Sequence, residues 1–142
     1  MLISVALAGA GVAGPRPVVR VFVFTAAPAG DAPSDAEKAR LEGVREMRQA
    51  LHGRGITIVD DRSQADVLVE VLDREERDMG EGGFGGKTIT KFIEVIIRLR
   101  VTSGDRQSEL KGMGLAGRAA KDAADRVRKW IARTQPAKPA RQ

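Results

Sequence analysis

The stretch that most resembles reactive chemistry is Gly80-Glu81-Gly82-Gly83-Phe84-Gly85-Gly86-Lys87-Thr88. Gly80, Gly82 and Gly85 match the G-x-G-x-x-G pattern of dinucleotide-binding turns letter for letter. That turn holds a pyrophosphate because its glycines lead into a helix whose first amides and dipole face the anion. From Thr88 onward this sequence is β-branched and reads as a strand. A phosphate-binding P-loop needs glycine where Glu81 stands, and again a helix after Lys87-Thr88. A kinase glycine loop does lie between strands, but Lys87 replaces its valine and no H-R-D or D-F-G follows. The RNA-recognition pattern needs an aromatic at position 86 and a basic residue at 82, and both are glycine. The spacing therefore predicts a hairpin tip that binds no nucleotide. Phe84 is the one apolar side chain at its centre and Lys87 the cation beside it, which makes these two the candidate partner contacts.

Elsewhere the composition removes chemistries. The chain has no cysteine and no tyrosine, so disulfides, thiol nucleophiles and thiolate zinc sites are excluded. Any Ser-His-Asp triad would have to use the single histidine, His52. That residue falls at the end of a predicted helix, where a cap suits it. The acidic stretch Asp73, Glu75, Glu76, Asp78 and Glu81 is interrupted by Arg74 and Arg77 and lacks the alternate ligands and placed glycine of a calcium loop. It is expected to be a solvated strand end. The sequence thus names no catalytic residue, no cofactor-binding residue and no metal ligand.

These residues must be positioned by alternating strands and helices. Val18 to Phe24 (VVRVFVF) is β-branched or aromatic at nearly every position, as in a strand covered on both faces or nearly so. Ser34-Asp35-Ala36-Glu37 is a capping box opening a helix that runs to about His52, with Leu41, Val44, Met47 and Leu51 as its apolar stripe and Gly53 as a left-handed terminator. Ile56 to Val59 is a short strand, predicted parallel to the first because a helix intervenes. Asp66 to Asp73 and Thr88 to Val101 are two more strands. In the longer one Ile93, Val95, Ile97, Leu99 and Val101 share a face against the half-wet Phe92, Glu94, Ile96, Arg98 and Arg100. Ser103-Gly104-Asp105-Arg106 is a hairpin turn into a strand over Gln107 to Met113. Gly117 to Arg133 is a helix whose inward face is Ala120, Ala123, Ala124, Val127, Trp130 and Ile131. One apolar stripe on each helix and one apolar face on the sheet predict an α/β (α+β) two-layer sandwich, a mixed sheet of four to five strands with two helices packed on it.

Around that domain, residues 15–133, stand two segments of different character. Residues 1–14 begin MLISVALAGAGVA, apolar and small-residue-rich, too short to span a bilayer and fitting the end of a secretory signal peptide, though without a positively charged n-region. Ala10 stands where a lipoprotein signal requires cysteine. Residues 134–142 form a basic, proline-containing tail. The leader implies a periplasmic or secreted bacterial protein. The net charge of +5 is lopsided: residues 1–81 carry 10 Lys/Arg against 14 Asp/Glu, and residues 82–142 carry 14 against 5. The basic half could serve a polyanion or nucleic acid, but its charges are spread through helix and strand rather than clustered, and few aromatics are free to stack on bases.

The succession of a strand, a capped helix, a glycine turn into a short strand and then Ala65-Asp66-Val67-Leu68-Val69-Glu70-Val71 resembles the small α/β domains of exported bacterial proteins such as the amino-terminal domain of TolB. The resemblance covers about Val18 to Val101 and departs at the glycine-rich hairpin. It implies a non-catalytic domain that serves assembly or partner contact. The expected function is accordingly that of an exported domain binding a protein or envelope component, with polyanion binding by the basic half as the alternative.

Overall fold

The computed structural model describes residues 18–28, 30–82 and 90–134, with backbone only at 81, 82, 90 and 91. Strand β1 (Val19–Phe24) precedes helix α1 (Asp35–Leu51) and strand β2 (Ile56–Ile58). A 3-10 turn (Arg62–Gln64) leads to β3 (Val67–Gly82), β4 (Thr90–Ser103), β5 (Arg106–Leu115) and helix α2 (Arg118–Thr134). The five strands form one mixed sheet in the order β2-β1-β3-β4-β5. β1 is parallel to β2 and β3, while β3, β4 and β5 form an antiparallel meander. This is the expected α+β sandwich, with five strands and two helices among the described residues.

Local chemistry places the helices. Ser34 Oγ accepts from the Glu37 amide at 3.2 Å and Glu37 Oε1 accepts from the Ser34 amide at 2.7 Å, so the capping box starts α1 as read. His52 is the C-cap, and Gly53 follows with φ 98°. Gly43 lets α1 lie against β3, since a Cβ there would stand 3.0 Å from Val71 Cγ1. Met47 and Leu51, four and eight residues on, are fully buried behind it. Leu41 is instead 47% exposed, because the helix meets the sheet along Gly43, Met47 and Leu51 and position 41 is turned away from that line. On α2 the expected stripe holds: Ala120, Ala123, Ala124, Val127, Trp130 and Ile131 are all buried.

Both helices feed one core with the sheet, which includes Val21, Val69, Ile97 and Leu99. The other sheet face carries no helix among the described residues. β1 is therefore not covered on both sides. Val21 and Val23 are in the core, whereas Phe22 and Phe24 project to the open face and are only half-buried. Each ring shelters the other, with centroids 5.4 Å apart at 18°, and the Arg62 guanidinium lies 4.8 Å over Phe24. No helix among the described residues is long and apolar enough to cross a membrane.

Candidate functional site

β3 and β4 outrun their neighbours. β1 stops pairing with β3 at Phe24↔Glu70, and β5 begins pairing with β4 only at Leu115↔Glu94. β3 and β4 stay paired beyond both limits, as far as Gly82↔Thr90. The acidic stretch thus belongs to a strand extending to Gly82, where a strand end near Asp73 was expected. Arginines on both strands take up much of that charge, with Arg98 opposite Asp73 on β4 and Arg74 and Arg77 within the acidic stretch itself.

A register shift between Val71 and Asp73 makes this possible. Val71 and Arg74 both meet α1 at Gly43, so the shift turns Asp73 and Glu75 to the open face and Arg74 to the helix side. On the open face Arg98 Nη1 donates to Asp73 Oδ2 and to Glu75 Oε1, each at 3.0 Å. The bond to Glu75 raises the Arg98 guanidinium above its ordinary value. Arg100 bridges Glu70 at 3.3 Å and Glu109 at 3.5 Å, and Arg77 stands 3.8 Å from Glu94. On the helix side Arg74 Nε donates to Glu46 Oε1 at 2.8 Å and its Nη1 to Glu76 Oε2 at 2.9 Å. Each exposed pair contributes about 0–1 kcal/mol, and together they offset part of the acidic charge of β3.

Apolar surface gathers towards the distal end of the same face. Ile96 is only 2% exposed although no helix covers it, and Met113 is directly opposite it on β5. Phe92 and Leu115, on the same face by register, are 41% and 48% exposed. Met79 and Ile93, on the projecting strands, are also exposed. At the body of the sheet this face offers paired charges, and towards its end it offers side chains with little to pack on.

The glycine motif starts within the last residues of β3. Gly80 and Gly82 are in β3, and the next described element is β4, a strand. Gly80 has φ 97° and its amide donates to Asp78 Oδ1 at 2.8 Å. Phe84 and Lys87 lie outside the described residues, as do residues 1–17 and 135–142. No three His, Asp or Glu side chains among the described residues converge as a metal site would require. On α2 Asp122 pairs with Arg126 at 3.3 Å and Asp125 with Arg128 at 3.2 Å. One exposed residue escaped the sequence argument. Arg54 has φ 56°, the lone positive value outside glycine among the described residues, and only its place between Gly53 and Gly55 could have signalled it.

No family model and no curated protein matches the chain. Among solved structures it is similar to a minor lipoprotein from Acinetobacter baumannii, with TM-score 0.44, 11% identity, and 82% of this chain and 94% of that one covered. It is similar also to the uncharacterized lipoprotein B from Nitrosomonas europaea, with TM-score 0.43, 9% identity, and 82% and 84% covered. The hypothetical protein CT253 from Chlamydia trachomatis gives TM-score 0.38 and 13% identity over 85% and 97%. These likenesses concern the course of the chain, at identities too low to carry any residue across.

Proposed function

We propose that this chain is a non-catalytic binding domain of an exported bacterial protein, and that it meets a protein or envelope component through the end of the β3–β4 ribbon, at Phe84 and Lys87. The observation that carries this reading is the projection of that ribbon past β1 and β5, with Met79, Phe92 and Ile93 exposed along it. Strands that extend past their sheet neighbours and keep large apolar side chains in water offer a surface suited to another molecule. Export to the periplasm or medium is supported by residues 1–13, whose composition fits a signal core. The polyanion alternative is weakened by pairing, since Arg98, Arg100, Arg126 and Arg128 each bind a carboxylate of their own chain.

The test is site-specific photocrosslinking in the native envelope, with a benzophenone side chain at position 84 or, at the opposite end of the sheet, at position 105. The expected result is a discrete adduct from position 84 that is absent from position 105 and is weakened when Lys87 is replaced by alanine. The same adducts from both positions, or none from position 84, would overturn the assignment. Binding to heparin that falls steeply between low and physiological salt would favour the polyanion reading instead.

A further inference from the structure

On the helical layer, away from the ribbon, α1 and α2 leave a cleft of about 410 Å³ between the C-terminal end of α1 and the middle of α2. That is within the usual range for small-ligand sites. Its wall includes Gln49, His52, Arg54, Lys121, Asp125 and Arg128.

The charges there do not balance. Asp125 is the one carboxylate in the wall, and Arg128 Nη1 already engages it at 3.2 Å. Arg128 Nη2 donates to the Ala50 carbonyl at 2.7 Å, which ties α2 to the last turn of α1, and its buried Nε has no partner. The side chains of Arg54 and Lys121 make no hydrogen bond or ion pair with any described residue. Subtracting Asp125 from Arg54, Lys121 and Arg128 leaves two positive charges before His52 is counted. The end of α1 presents only about half a negative charge, so capping that helix accounts for a part of this excess.

Arg54 adds an independent observation. It occupies the left-handed region between Gly53 at φ 98° and Gly55 at φ 83°. Glycine would take that conformation without strain, whereas arginine resists it. The turn therefore holds a guanidinium at the cleft in a backbone state that works against a side chain.

From this arrangement we infer that the interhelical cleft binds a phosphate dianion, free or as a lipid headgroup, with Arg54 and Lys121 as the charged ligands and Arg128 fixing the wall between them. A tetrahedral dianion offers separate oxygens to cations arriving from two elements, a demand that a planar carboxylate meets less well. The site shares no residue with the ribbon, so it stands or falls separately from the proposed partner contact.

Titration calorimetry of the full chain with inorganic phosphate at low ionic strength tests it, alongside co-sedimentation with phosphatidylcholine vesicles containing phosphatidic acid, whose monoester headgroup can carry two negative charges. Saturable phosphate binding at about 1 mM or tighter is expected, weakened about fivefold or more by Arg54→Gly and by Lys121→Ala but not by Arg106→Ala at the far turn. Arg54→Gly should melt no lower than the wild type, so loss of binding in that variant cannot be ascribed to unfolding. Phosphate binding without vesicle binding assigns a free phosphate. Vesicle binding that phosphate displaces and Arg54→Gly weakens assigns a headgroup. No saturable phosphate binding, or binding that Arg54→Gly and Lys121→Ala leave unchanged, overturns the inference.

Discussion

Gly112 and Ala123 touch with no room for a side chain between them: a Cβ on Gly112 would stand 2.5 Å from the Ala123 Cβ and 2.6 Å from the Ala119 carbonyl oxygen. That approach seats α2 on β5. Because one obstacle is backbone, a rotamer change cannot relieve it. Gly112→Ala is expected to lower the unfolding free energy by about 2 kcal/mol or more, through displacement of the helix. At Gly114 the nearest atom would be Arg118 Cβ at 3.0 Å, so Gly114→Ala should cost clearly less. Urea denaturation of the two variants checks the order, and equal midpoints would show that α2 does not rest on β5 at Gly112.

Further along α2, Trp130 is 5% exposed and Val127 fully buried, and both belong to the core that the helices share with the sheet. Trp130→Ala is expected to cost on the order of 3 kcal/mol or more. Because this is the single tryptophan of the chain, native fluorescence reports directly on the docking. Emission already at the wavelength of free indole in the folded protein would contradict it.

Elements whose reasons are local were legible in the sequence. The capping box at Ser34 and Glu37, the terminator at Gly53, the turn at Gly104 and Asp105 and the alanine stripe of α2 each follow from neighbours a few residues away. What required the sheet was less visible. Asp73 to Asp78 has poor strand propensity by itself, and only the pairing with β4 sets Arg98 and Glu94 opposite its charges. The half-burial of Phe22 and Phe24 depends on which face the helices choose, a choice that VVRVFVF alone does not record. Gly43 was not among the stripe residues named from the sequence, yet it is the point where that helix touches β3. For the candidate site, the sequence pointed to Phe84 and Lys87, which lie outside the described residues, and passed over Arg54 because a glycine on either side already explained the turn.

The Arg74–Glu46 pair is shielded, with side chains 10% and 18% exposed, and it joins α1 to β3. Bonding to Glu46 raises the Arg74 guanidinium above its ordinary value. Glu42 and Arg45 form a pair on the exposed side of the same helix. A double-mutant cycle on Arg74 and Glu46 should give a coupling of about 1–3 kcal/mol, against less than about 0.5 kcal/mol for Glu42 and Arg45. Equal couplings would mean that the inner pair does not hold the helix to the sheet.

β1 is paired on both edges, to β2 and to β3. A chain starting at Pro15 keeps both of these pairings, and residues 1–14 are expected to serve export rather than stability. Its melting temperature should lie within a few degrees of that of the full chain, since losing a paired strand would lower it by much more. Differential scanning calorimetry of the two chains decides the point, and a drop beyond a few degrees would assign residues 1–14 to the folded domain.

Asp66 links the start of β3 to β1. Its Oδ2 accepts from the Arg20 amide at 2.9 Å and its Oδ1 from Arg20 Nη2 at 3.3 Å, while its own amide donates to the Arg20 carbonyl at 2.8 Å. Partial burial works to raise the carboxyl, but the bonds from the Arg20 amide and guanidinium outweigh it and hold the group below the usual carboxylate range. A depressed folded value means that the charged form is favoured by folding. The resulting stability is complete above the unfolded value of about 3.9 and is lost as pH falls through the lower folded one. Asp66→Ala should therefore destabilise the protein by about 1 kcal/mol near pH 7, a modest figure because both partners are partly exposed. The difference from wild type should hold down to about pH 5 and shrink as pH falls below about pH 4 towards the lower folded value. Urea melts of the two proteins across that range measure it directly. A difference that stays constant down to pH 2 would assign the effect to packing or to the alanine itself, and one that grows in acid would reverse the sign of the linkage and exclude the Arg20 interaction as its cause.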